Sequence, residues 1–267
     1  MQRHPAVAGQ FYPGNPAQLK DALEQMIGVP TGRLKAKGGI APHAGYIYSG
    51  GVAGRLYAEL CVPQTVLVIG PNHHGAGAPA ALYPEGEWIT PLGSVAIDNR
   101  LNSLISRHTP FVQYDDLAHR FEHSLEVQIP FLQYLRPDVR LSAICLGRGD
   151  YEALAAIGEG LAQAISEFGQ DVLIVASSDM THYESADSAL TKDNLAIERV
   201  LALDPQGLLQ VCHASHISMC GVGPAAVMLV AARRLGAARA ELVCYGTSGD
   251  VSGDMEQVVG YASLAVT

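Results

Sequence analysis

The chain has 267 residues and a formal net charge of −9, with 48% hydrophobic and 16% charged residues. That length and apolar content supply a large core and exclude a disordered chain. The acidic balance, with no run of Lys or Arg, argues against a nucleic-acid binder. Five cysteines, an odd number with no CxxC, argue against a disulfide framework or a Cys-rich zinc site and favour a reducing compartment. The opening "MQRHPAVAGQFYPGN" has no long apolar run, so no signal peptide is expected. No apolar stretch reaches the ~20 residues of a membrane span. The expected location is cytoplasmic, with neither membrane nor nucleic acid as partner.

In chain order, "QLKDALEQMI" (18–27) places Leu19, Leu23 and Met26 or Ile27 on one helical face. "KGGIAP" (37–42) and "TVLVIGP" (65–71) read as strands. Residues 78–97 read as a hairpin-like pair at an edge or as an excursion. "SLEVQIPFLQYL" (124–135) reads as a helix bent or divided at Pro130. "RLSAICLG" (140–147) is a strand, 151–168 a long helix, "DVLIVASS" (171–178) a strand and 186–203 a second long helix. "GPAAVMLVAARRLG" (223–236) opens near a Pro and closes on Gly, as helices do. Strands at 240–247 and 259–266 close the chain. The pattern predicts one α/β domain over residues 1–267, its mostly parallel, mixed sheet covered by helices on both faces.

Four polar clusters follow strands or open helices. They are "APHAGYIYSGG" with His43 before a Gly-rich turn into a helix, "GPNHHG" with His73 and His74, "SSDMTHY" with Asp179 and His182, and "SMCGVGP" with Cys220. Ligands of open α/β sheets bind beyond the carboxyl ends of strands, where three of these clusters fall. His43 is a candidate ligand or a hydrogen-bonded structural residue. Successive side chains of an extended segment point to opposite sides, so only one of His73 and His74 is expected to face a site, the other supporting it. Asp179 and His182 share a face if "DMTH" forms a turn or helix, and an Asp that orients a His general base is a recurrent arrangement. An N-capping Asp with a nearby surface His is the structural alternative.

Cys220 precedes a helix N-terminus, which lowers a thiol's pKa and favours a thiolate ligand or nucleophile. Cys61, Cys145 and Cys244 read as small buried hydrophobes, and Cys212 has no assigned role. In "FEHSLEVQIPF", His123 and Glu126 are three apart on an expected helix and face one pocket, while Glu122 and Glu126 also fit a solvated acidic face. There is no phosphate-binding loop, no G-x-G-x-x-G after a strand and no nucleophile elbow, which sets aside nucleotide-driven and α/β-hydrolase chemistry.

Together "AVAGQFYP", "APHAGYIYSG", "GPNHHG", "EHSLEVQIPF", "SSDMTH" and "MCGVGP" resemble, in order, the MEMO family, known in bacteria and archaea as the AmmeMemoRadiSam system protein B. The resemblance implies the fold of class III (LigB-type) extradiol dioxygenases, which hold non-haem iron with two His and a carboxylate and use a further His as acid/base. Carried over by position, His43 and His74 match the two ligands, His182 the acid/base with Asp179 beside it, and Cys220 the family cysteine that replaces the carboxylate. His73, His123 and Glu126 then line the pocket or support the ligands. A thiolate suits copper, zinc or iron, so the implied cofactor is one metal ion, iron or copper with zinc as a third option. The implied function is a metal-binding, redox-active protein acting on a small substrate or oxygen. Whether turnover occurs is left open by the resemblance, since a fold does not fix a reaction. The family name implies a radical SAM protein and an AMMECR-type protein as partners. Two other readings use the same residues: a metal-free enzyme with Cys220 as nucleophile and His182 or His74 as base, and a peptide-binding module like that attributed to eukaryotic relatives.

Overall fold

The computed structural model describes residues 1–267. A two-residue strand β1 (Gln2–Arg3) leads to helix α1 (Pro16–Ile27), whose N-cap Asn15 accepts the N–H groups of Ala17 and Gln18 while Pro16 occupies the first turn. Strand β2 (Gly38–Ala41), helix α2 (Tyr46–Glu59) and strand β3 (Thr65–Pro71) follow. Next come β4 (Ala80–Leu82), β5 (Glu87–Thr90), β6 (Gly93–Ala96), α3 (Asn99–His108) and β7 (Gln113–Tyr114). Helix α4 (Ile129–Leu135) precedes β8 (Arg140–Leu146), and α5 (Tyr151–Phe168) runs from the cap Asp150 to the left-handed Gly169. Strands β9 (Val172–Ser177) and β10 (His182–Glu184) precede α6 (Ala186–Leu201), α7 (Pro205–Ala214) and α8 (Val222–Arg234). Strand β11 (Ala240–Thr247), the short α9 (Gly249–Ser252) and strand β12 (Val258–Val266) end the chain.

The main sheet runs β10-β12-β2-β9-β3-β8-β4-β7, with β11 on β12. Its centre, β2-β9-β3-β8, is wholly parallel. Strands β4 and β12 run antiparallel to this centre, so the sheet is mixed, as expected. Alternation along the central strands feeds two cores. Leu67, Ile69, Ile174 and Ile144 face α3, α5 and α8, while Val66, Val68, Val175 and Ala143 face α1, α2 and α4. Both faces are covered, which is why these strands read as continuous apolar runs. No helix is long and apolar enough to cross a membrane.

Three expectations change. Residues 124–135 are not one helix: Glu126–Gln128 form a 3₁₀ turn and α4 begins at Ile129, with Pro130 in its first turn. A Pro lacks the N–H an interior turn needs, so it opens the helix instead of bending it. The 78–97 segment divides between β4 in the main sheet and the hairpin β5-β6, which forms a separate small sheet with β1. Cys61 is exposed, unlike the buried Cys145 and half-buried Cys244.

Two glycines let the chain close around the strand ends. A Cβ on Gly70 would lie 2.6 Å from Ser124 Oγ, so the His123 loop packs on β3 only because that Cβ is missing. A Cβ on Gly221 would lie 2.3 Å from the Ser177 carbonyl oxygen, which fixes the approach of Cys220 to the end of β9.

Candidate functional site

The parallel centre delivers one chemically active residue past the carboxyl end of each strand: His43 after β2, His73 after β3, Asp179 after β9 and Arg148 after β8. This is the crevice position of open α/β sheets. Ring nitrogens of His43, His73 and His123 lie within 4.8 Å of one another. Cys220 Sγ is 3.2 Å from His43 Nε2.

The His43 and His73 rings are each held by a partner that fixes the tautomer. Ser177 Oγ donates to the Ser124 carbonyl oxygen at 2.6 Å and accepts from Gln128 Nε2 at 2.8 Å. Its one proton is thus committed, so at 3.0 Å His43 Nδ1 is the donor and His43 Nε2 carries the lone pair facing Cys220. His73 Nδ1 donates to Glu122 Oε1 at 2.9 Å, and its backbone N–H to Glu122 Oε2 at 2.7 Å. A carboxylate only accepts, so His73 Nε2 is left with its lone pair when the ring is neutral. His123 stacks on His73, with ring centroids 4.8 Å apart, and its Nδ1 is 3.5 Å from Glu122 Oε1. Burial drives the His43 pKa well below the ordinary value, with His123 and His73 adding to the effect. Burial likewise takes His123 down to about 4. Burial alone would lower His73 too, but the Glu122 hydrogen bond and charge outweigh it and raise the pKa. Burial opposes the charged Glu122, yet the His73 hydrogen bond and charge hold its carboxyl well below the usual range.

The opposite-faces argument for the histidine pair describes the backbone, but the inward ring is that of His73. Both residues are exposed, but His74 Nε2 lies 3.0 Å from the Phe121 carbonyl oxygen and its ring is not in the cluster. Two hydrogen bonds to Glu122 turn His73 inward and leave His74 outside. Glu126 does not face the pocket either. Its carboxylate is buried against Arg3 and accepts from Ala6 N, Val7 N and the Tyr12 hydroxyl, because residues 121–125 are not helical and the i, i+3 relation to His123 has no geometric force. The acid missed from sequence is Glu122, which is fully buried. An acidic side chain beside a His in a motif was its only signal.

Asp179 does not orient His182. "DMTH" is extended up to β10, and the carboxylate turns to His43, accepting its backbone N–H at 2.7 Å, with Oδ2 4.0 Å from His43 Nε2. His182 lies across a shared cavity; its Nδ1 is buried without a hydrogen-bond partner and burial lowers its pKa. Cys220 carries a thiol, not a thiolate. Burial, then the Asp179 charge, pushes it up to about 12, overriding the helix end and removing the basis for an intrinsically activated nucleophile.

Burial also raises Asp179 from 3.8 to about 7. A carboxyl that keeps its proton longer when folded makes stability fall as pH rises between those two values. Metal-free Asp179→Asn is therefore expected to gain on the wild type as pH rises from 4 to 7. The gain levels above pH 7 at up to about 4 kcal/mol, at 1.36 kcal/mol per pH unit. Urea midpoints across that range check this, and a difference independent of pH would contradict it.

The chain resembles known proteins along its whole length. A family model described as Memo-like protein matches residues 3–265. A MEMO1 family protein of Methanopyrus kandleri is 42% identical over 278 residues, covering 99% of this chain and 98% of its own. A MEMO1 family protein of Methanosarcina barkeri is 44% identical over 266 residues, covering 99% of each. Among solved structures, an uncharacterized protein from Escherichia coli K12 superposes with a TM-score of 0.50 at 16% identity, covering 79% of this chain and 89% of that one, a likeness of fold alone. The chain belongs to the Memo-like protein family.

Proposed function

We propose that the protein holds one iron or copper ion between His43, His73, Cys220 and His123, and works as a redox-active metalloprotein on a small molecule. The observation that carries this is the convergence of three histidine nitrogens at the sheet's carboxyl edge, with the Cys220 sulfur 3.2 Å from His43 Nε2. The donor set fits. Imidazole and sulfur suit iron, copper and zinc better than oxygen-seeking magnesium or calcium. Glu122 on His73 and Ser177 on His43 are the outer partners that ligating histidines use. When bound, such an ion supplies electron exchange with oxygen or an organic molecule, and its charge favours the sulfur's deprotonated form.

The remaining chemistry belongs to the chain. His182 is kept neutral by burial and faces the cavity, so it accepts and returns a proton of a molecule bound there. Asp179 keeps the His43 backbone fixed through its N–H.

Cobalt(II) substitution tests the reading. Anaerobically loaded protein should show a thiolate-to-cobalt charge-transfer band that disappears in Cys220→Ser while cobalt stays bound. Wild-type protein that takes up no cobalt, or takes it up without that band, contradicts the reading.

A further inference from the structure

A cavity of about 750 Å³ opens beside the histidine cluster, and His73, His182 and Cys220 are among the residues that line it. That volume suits a small organic molecule. Leu154, Leu209, Ile217 and Met219 supply an apolar wall. Although the chain carries a net charge of −9, none of the 19 residues lining this cavity is Asp or Glu. The only permanently charged side chain in the lining is Arg148.

Arg148 is placed by the sheet. Pro71 of β3 pairs with Leu146 of β8, and Asn72 N–H still donates to the Leu146 carbonyl oxygen at 2.9 Å. His73 and Arg148 are each two residues past that pair. Both lie beyond the strands, which end at Pro71 and Leu146, in loops that line the same cavity. The Gly147 N–H donates to the Pro79 carbonyl oxygen, which pins the loop. The nearest acid in sequence, Asp150, is committed to capping α5 through Ala153 N. Arg107, Arg136 and Arg234 each hold a surface carboxylate, whereas Arg148 holds none.

An unpaired guanidinium in an acid-free, half-apolar cavity is a binding site for an anion on an apolar body. One fixed positive charge matches one negative charge. We infer that the molecule this site takes is a monocarboxylate with an apolar body, its carboxylate on Arg148 and its far end beside His73, His182 and Cys220. The inference rests on the proposed metal reading only for what happens at that far end; recognition by Arg148 does not need the ion.

The test is calorimetric titration of 3-phenylpropionate, its neutral amide and phenyl phosphate into metal-free and zinc-loaded protein, for wild type, Arg148→Met and Arg148→Lys. The expected result is binding of the acid at least tenfold tighter than the amide in both forms of the wild type. The preference should disappear in Arg148→Met and survive in part in Arg148→Lys, with zinc per chain unchanged. Equal affinity for acid and amide, binding of neither, a preference that survives Arg148→Met, or tighter binding of phenyl phosphate would each overturn the inference. An acid preference in metal-free protein that takes up no zinc would leave Arg148 recognition standing and sink the metal reading instead.

Discussion

Arg3→Met is expected to cost the folded protein about 3–5 kcal/mol, the usual penalty for stranding one half of a buried ion pair. Arg3 Nη1 meets Glu126 Oε2 at 2.7 Å, with 4% and 1% of the two side chains exposed. The same guanidinium donates to the His119 and Glu122 carbonyl oxygens and lies 4.1 Å over the Trp88 ring. Glu126 in turn receives Ala6 N, Val7 N and the Tyr12 hydroxyl. The pair therefore ties the N-terminal segment to the loop that carries Glu122 and His123. Methionine fills the space but leaves a carboxylate buried without its cation. The double variant Arg3→Met/Glu126→Leu should recover only the part due to the stranded charge, since it still leaves the Ala6 and Val7 N–H groups and the Tyr12 hydroxyl without their acceptor. Urea unfolding of the wild type and both variants decides. A loss below about 1 kcal/mol for the single variant would mean that the pair is not what fastens this segment.

Much of this fold was legible because buried parallel strands and capped helices leave local marks. The runs at 65–71, 140–147 and 171–178 are continuous apolar stretches, since both faces of β3, β8 and β9 are covered. Helix α5 begins and ends where Asp150 and Gly169 punctuate it. Helices α3 and α7 were less visible. Polar residues crowd the first, and the second is short and follows α6 after a brief turn. At the site, sequence reasoning reached the strand ends but not the partners across them. Glu122 lies 49 residues from His73 and Arg3 lies 123 from Glu126, and no periodicity connects such pairs. The Asp179–His182 and His123–Glu126 spacings suggested partnerships that required helical backbone, and neither segment has it. Arg148 went unnoticed because a single arginine in "LGRGD" reads as an ordinary loop residue, and only the folded chain puts it on the wall of the cavity that His73 also lines.

The choice between adjacent histidines separates the geometric account from positional resemblance most sharply. Glu122 holds His73 in the cluster, whereas His74 turns away to the Phe121 carbonyl oxygen. Removing a ligand should lower metal affinity far more than the 10–100-fold typical of losing a supporting partner. Removing an exposed neighbour should leave it nearly unchanged. The direct measurement is the iron and copper content per chain after anaerobic reconstitution and desalting of the wild type, His73→Ala and His74→Ala, with folding of each verified by circular dichroism. The predicted result is about one ion per chain in the wild type and in His74→Ala, and almost none in His73→Ala. A wild type that retains no metal, or a His73→Ala that retains it while His74→Ala does not, would contradict the account.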